Sequence, residues 1–243
     1  HQSRHALCMC IEGAAGIEVS RRAQYIRTIM DELQRIDSHL LFYSCLAMDM
    51  GALTPFFYGF REREMILDIF EDTTGGRLIQ NYNVIGGVQA DLHPGFVRKT
   101  KEFIVHLRGV IHEYHDIFTK SVIARTRLKG VGLLSREDAI SLGCTGGTGR
   151  ACGWANDVRK HHPYAMYGEV DFKEITYAHG DAFDRYMVRM DEIMESCRII
   201  EQLIDNVPEG EFRVKTKPVL KLPEGVFTAS VEASRGEFGV FLE

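Results

Sequence analysis

Apolar positions recur at spacings of three and four along residues 19–50. Ile26, Ile29, Met30, Leu33, Ile36 and Leu40 fall on one face of a helix. At about 1.5 Å per residue that helix is roughly 45 Å long. Its second half, residues 40–48 (LLFYSCLAM), is apolar on every side, the pattern of a helix surrounded by protein. Gly51 breaks it. Thr54-Pro55 then predicts a cap and a proline at the first helical position. The helix so opened ends near Asp72, before Thr73-Thr74-Gly75-Gly76. A third long helix is predicted over residues 95–118 and a fourth over 181–207. The stripe of the fourth holds Phe183, Met187, Met190, Met194 and Cys197. Residues 4–12 are helix-permissive and are punctuated by Gly13 and Gly16. Ser135-Arg136-Glu137-Asp138 fits a capping box opening a short helix. Residues 79–91 and 143–153 carry clustered glycines and read as loops. Residues 219–243 alternate, contain Pro223 and Gly225, and predict strands or a hairpin. The expected fold is mainly α: one domain, with a bundle of long helices over about residues 1–207 and a β-rich tail over about 208–243.

Composition is that of an ordinary globular chain: 243 residues, 45% hydrophobic, 26% charged, formal net charge -5. Disorder is excluded on that basis, and no basic surplus points to nucleic acid. Six cysteines (Cys8, Cys10, Cys45, Cys144, Cys152, Cys197) include no C-x-x-C pair. They read as buried thiols in a reduced compartment rather than metal ligands. The most apolar stretch, residues 40–60, is interrupted by Asp49, Gly51 and Pro55, which makes a poor spanning helix. A missing initiator Met and an end inside a strand-like run suggest a piece of a longer protein. The glycine-rich stretch GCTGGTGRACG lacks the G-x-x-x-x-G-K-[ST] pattern of a phosphate loop. Close backbone packing accounts for it better.

Several blocks stand together in one order along nearly the whole chain. They are residues 49–64 (DMGALTPFFYGFRERE), Gly75-Gly-Arg with Asn81-Tyr82, Ile85-Gly-Gly-Val88, Thr145-Gly-Gly with Gly149-Arg-Ala-Cys-Gly153, Asp157-Val-Arg-Lys160 with Pro163-Tyr164, and Ala233-Ser-Arg-Gly-Glu237. In these the chain resembles the D-subunit family of respiratory complex I, the quinone-facing part of NADH:quinone oxidoreductase, whose core is like that of the large subunit of nickel–iron hydrogenases. A membrane-bound nickel–iron hydrogenase large subunit is the second reading. Its two C-x-x-C pairs would fall before His1 and after Glu243, so the cysteines do not decide between them. An interaction module, inactive by itself and able to self-associate, is the third.

The resemblance implies a peripheral-arm subunit on the cytoplasmic side of a bacterial inner membrane. Its partners would be the protein that carries the terminal iron–sulfur cluster, a C-subunit-like protein and membrane-arm subunits. Quinone would be bound at a shared site and its reduction coupled to proton translocation, with no NAD, flavin, metal or cluster held by this chain. The family's two quinone head-group ligands would precede His1. Asp49 matches the aspartate that pairs with one of them. From its own surroundings, Leu46, Ala47, Met48 and Met50, Asp49 reads either as a carboxylate costly to bury without a partner or as a cap at the Gly51 turn. Cys45 and Leu41 lie one and two turns earlier on its face, as cavity lining or plain core. Arg61, Glu62, Arg63 and Glu64 are either a solvated face, with Arg61 and Glu64 paired, or an ion network facing the cluster-bearing partner. Arg150, Asp157 and Arg159 are expected at a contact between subunits or at a cavity edge. His39 reads as a satisfied core histidine. Ile79 stands where many family members have His, which implies a cluster potential only weakly dependent on pH and a low-potential quinone such as menaquinone.

Overall fold

A computed structural model of the chain describes residues 1–217 and 219–243; position 218 of the expected tail lies outside the described residues. Helix α1 (Gln2–Ala15) ends at Gly16, which takes the left-handed conformation. Ser20 then caps α2 (Arg21–Asp49) by accepting a hydrogen bond from the Ala23 N–H. All six positions of the predicted α2 stripe are fully buried. Helix α3 (Leu53–Thr74) begins one residue before the expected cap, with no side chain capping it. Pro55 therefore sits inside the first turn, where its missing N–H costs no hydrogen bond. After a small hairpin of β1 (Asn83–Val84) and β2 (Gly87–Val88) comes α4 (Phe96–Tyr114), which runs into a π-turn at His115–Thr119.

Two short helices follow, α5 (Val122–Leu128) and α6 (Arg136–Ser141). The Ser135 hydroxyl accepts from the Asp138 N–H at 3.0 Å, as the capping box requires. The stretch expected to be a loop at 143–153 instead contains a helix, α7 (Gly146–Ala151). Three glycines make it a poor helix by propensity, so packing rather than local preference forms it. A Cβ on Gly146 would stand 2.4 Å from the Gly236 Cα, and one on Gly149 2.3 Å from the Cys144 carbonyl oxygen. Close backbone approach is thus what these glycines permit. Helix α8 (Val158–His161) and a 3-10 turn (Tyr167–Glu169) lead to α9 (Ala182–Leu203), whose cap Asp181 accepts from the Asp184 N–H at 2.8 Å.

Helices α2, α3, α4 and α9 pack side by side around a core that includes Leu40, Tyr43, Phe70, Phe103, Tyr114, Tyr186 and Ile193. The tail is an antiparallel hairpin, β3 (Phe227–Ala233) and β4 (Gly236–Leu242), with Phe227 opposite Leu242. It lies on α1 and sends Val231 and Glu232 into the core, both fully buried.

Candidate functional site

The last two turns of α2 place Leu41, Cys45 and Asp49 along one line that the chain covers only in part. Leu41 and Cys45 are half-buried and Asp49 is exposed. The Met50 and Gly51 N–H groups close the helix onto the Leu46 and Met48 carbonyls, and Gly51 turns the chain at φ +84°. Asp49 therefore stands at a corner, not inside a cage; the apolar enclosure expected from the sequence is not supplied by this chain. Along the chain on either side of it, Met48, Leu53 and Phe57 are 45%, 57% and 59% exposed, and Arg127 donates to the Met50 carbonyl oxygen at 3.0 Å. The α2–α3 junction thus presents one exposed carboxylate and three exposed apolar side chains.

The next turns of α3 split the Arg61–Glu64 run. Glu62 is fully buried. Arg61 Nε donates to it at 2.6 Å, His106 faces it at 3.0 Å and the Tyr114 hydroxyl donates to it. Arg61 remains half in solvent and also reaches Glu113. Arg63 turns inward to Asp37, 3.1 Å away. Burial pushes the Asp37 carboxyl up to about 6 despite Arg63 and the Gln34 hydrogen bond. Glu64 is exposed and pairs with Arg77 at 2.6 Å. The expected Arg61–Glu64 pair does not form, because each is claimed by a different neighbour. Two of the four residues, Glu62 and Arg63, turn inward, and two lie at the surface.

Arg150, Asp157 and Arg159 are not edge residues. All three are buried, and side chains without surface cannot touch a partner. Their place is a lattice of charge joining α2, α7, α8, α9 and β3. Arg159 holds Asp157 at 2.6 Å and Glu32 at 3.1 Å. Arg35 bridges Glu32 to the Glu232 carbonyl oxygen, which it reaches at 2.6 Å. Arg150 donates to Glu232 at 2.8 Å and also to Glu192. Tyr167 and Ser196 each donate to Glu32 at 2.6 Å. Burial alone would raise every one of these carboxyls. Arg159 and Arg150 outweigh it at Asp157, held at about 2, and Arg150 with His39 outweighs it at Glu192, held well below the usual range. At Glu232 burial wins and the shift is upward. His39 donates to Glu192 at 2.8 Å, and its burial lowers it to about 4. It is a satisfied core histidine, as expected.

Glu32, Arg35, Glu192 and Glu232 are the residues that sequence reasoning missed. One signal was present: Glu32, Arg35 and His39 fall at i, i+3 and i+7, a polar line beside the apolar stripe of a helix long enough to be enclosed by protein, where unpaired polar groups would be costly.

The chain is thus a helical scaffold braced by buried ion pairs, with exposed apolar side chains and one carboxylate at the α2–α3 junction. The fold is similar to a chain in the structure of the membrane-bound sulfane sulfur reductase, an archaeal respiratory membrane complex, with TM-score 0.91 and 33% identity over 95% of this chain and 64% of that one. Residues 49–222 match the family described as respiratory-chain NADH dehydrogenase, 49 Kd subunit, and the chain belongs to that family. It is 75% identical, over its whole length, to the C/D subunit of NADH-quinone oxidoreductase from Bacteroides fragilis, of which it covers 46%. It is 43% identical to the D subunit of NADH-quinone oxidoreductase from Desulfotalea psychrophila, over 98% of this chain and 64% of that protein. The chain thus spans about half the length of the C/D relatives it matches. No helix among the described residues is long and apolar enough to cross a membrane.

Proposed function

We propose that this chain forms one wall of a quinone-reduction chamber in a proton-translocating NADH:quinone oxidoreductase, respiratory complex I. Its partners are the protein that holds the terminal iron–sulfur cluster, a C-subunit-like protein and membrane-arm subunits. Its place is peripheral, on the cytoplasmic side of a bacterial inner membrane. The substrate is a quinone of low potential, menaquinone by preference. The observation that carries this reading is the open corner at the α2–α3 junction, with Asp49 among exposed Met48, Leu53 and Phe57.

Reduction of a quinone to a quinol consumes two electrons and two protons. The apolar side chains of the corner give the ring a dry wall once a partner closes over them. Asp49 supplies the only carboxylate on that wall between Leu41 and Leu53. It orients a histidine donated by another segment; as the partner's terminal cluster delivers the two electrons, that histidine gives one of the two protons to the head group, and the family's second head-group ligand, also outside this chain, gives the other. The imidazolium–carboxylate pair then becomes a neutral imidazole beside a lone anion. In a low-dielectric chamber such a change of charge is strongly felt, and it is the event coupled to proton translocation.

Asp49→Asn in the assembled complex keeps shape and removes the charge. Quinone reductase activity and proton pumping are expected to fall by roughly two orders of magnitude, the scale of a positioned proton-transfer group. Electron transfer from NADH to an artificial acceptor upstream stays unchanged. Unaltered quinone reduction and pumping would remove Asp49 from the mechanism.

A further inference from the structure

A second concave feature lies on another part of the molecule, between α1 and the segment that follows α9. Its floor is the β1–β2 hairpin. The two glycines of that hairpin explain how it is built. The Gly87 backbone runs so close to residues 212–213 that a Cβ there would stand 2.2 Å from the Phe212 carbonyl oxygen. The strap is bonded down on both sides: Val88 N–H donates to Phe212 at 3.1 Å and Val214 N–H donates to Gly86 at 2.9 Å. Fixed in this way, the strap holds Arg213 and Lys217 across from Arg4 of α1, over a groove of about 630 Å³.

The lining has a definite chemistry. Among the described residues that line it, Arg4, Arg213 and Lys217 are the only charged groups and none is a carboxylate. None of the three forms an ion pair among the described residues, in a chain whose net charge is -5. The walls between them are apolar, with Leu7, 41% exposed, on one side and Leu220 on the other. Beneath the floor lies Asn83, fully buried, its amide nitrogen 3.3 Å from the His1 ring. The volume falls in the range of small-molecule sites, roughly 300–1,000 Å³.

We propose that this groove binds an acidic amphiphile: a single-chain phosphate ester or carboxylate. Arg213, Lys217 and Arg4 take the anion, and Leu7 and Leu220 cover the chain. The site is independent of the Asp49 corner, and its test is independent of quinone chemistry.

The test is calorimetric titration of the full-length protein with a short-chain lysophosphatidate, kept below its micelle concentration. That probe carries a phosphate, a free hydroxyl and one acyl chain. Saturable one-site binding is expected. Arg213→Gln combined with Lys217→Gln should weaken it at least about tenfold, the loss expected for charge-assisted hydrogen bonds. Both residues are exposed, and an unchanged melting temperature checks that the double variant folds. Lys160→Gln, on an unrelated surface, should bind as the parent does. Glycerol 3-phosphate, the head group alone, and lysophosphatidylcholine, the zwitterionic counterpart, should each bind at least about tenfold more weakly. Four results would overturn the proposal: no saturable binding, equal binding of the zwitterion, equal binding of the bare head group, or a double variant that binds like the parent. The second and third would point to a plain apolar trough or a simple phosphate site.

Discussion

His39 occupies a position where taking up a proton is costly. Burial lowers it from the ordinary 6.5 to about 4, although Glu192 pulls the other way. Below pH 6.5 the unfolded chain protonates this histidine and the folded chain does not. The stability His39 contributes is therefore complete above pH 6.5 and drains away as pH falls toward 4. The loss is on the order of 3 kcal/mol at the lower end. His39→Gln keeps a donor for Glu192 and cannot titrate. Its unfolding free energy between pH 6.5 and 4 should fall less steeply than the parent's, and equal slopes in chemical denaturation would show that His39 does not govern this range. The role of His39 was legible from its place on an apolar face. The lattice around it was not, because Glu192 and Glu232 lie 153 and 193 positions away along the chain. Nothing local to Arg150, Asp157 or Arg159 says that three-dimensional neighbours bury them; as an isolated polar run they look like surface.

Long elements announce themselves through periodicity, which is why α2, α3, α4 and α9 stand close to where their apolar spacing predicts. Helix α7 does not, since glycine gives no period and opposes a helix by about 1 kcal/mol per residue. What forms it is the approach of the β3–β4 turn, with Gly146 against Gly236. Substitution separates conformation from contact here. Gly143 and Gly146 share nearly the same φ, +65° and +66°, but nothing lies within 4 Å of a Cβ at Gly143. Gly143→Ala should cost about 1–2 kcal/mol, the penalty of a left-handed alanine. Gly146→Ala adds a collision with backbone and should cost at least about 2 kcal/mol more, lowering the melting temperature by a further 4–8 °C or so. Equal melting temperatures for the two variants would mean that the hairpin yields easily, and that it does not shape α7.

At the scale of the whole molecule, the family was legible because ordered blocks of residues carry it, while the half-open state of its site was not. Apolar residues 40–60 look like core in one dimension. In the structure Met48, Leu53 and Phe57 are uncovered, since periodicity along one chain cannot tell a face that buries itself from a face that waits for a partner. The loop after α3 poses the same question at Ile79, which is 90% exposed. An aliphatic side chain so placed gains nothing from water, and it has no proton to exchange. If this loop lies against the terminal cluster, as the family resemblance implies, the cluster in the parent complex should show a midpoint potential that varies little with pH. Ile79→His restores a titratable group at the same place. Reduction coupled to uptake of one proton moves a one-electron potential by about 59 mV per pH unit, so the variant's slope should steepen toward that value around the histidine's pKa. Redox titration followed by the cluster's paramagnetic signal measures both slopes. A steep slope in the parent would mean that another group already supplies the proton. A flat slope in the variant would place the loop too far from the cluster for its charge to be felt.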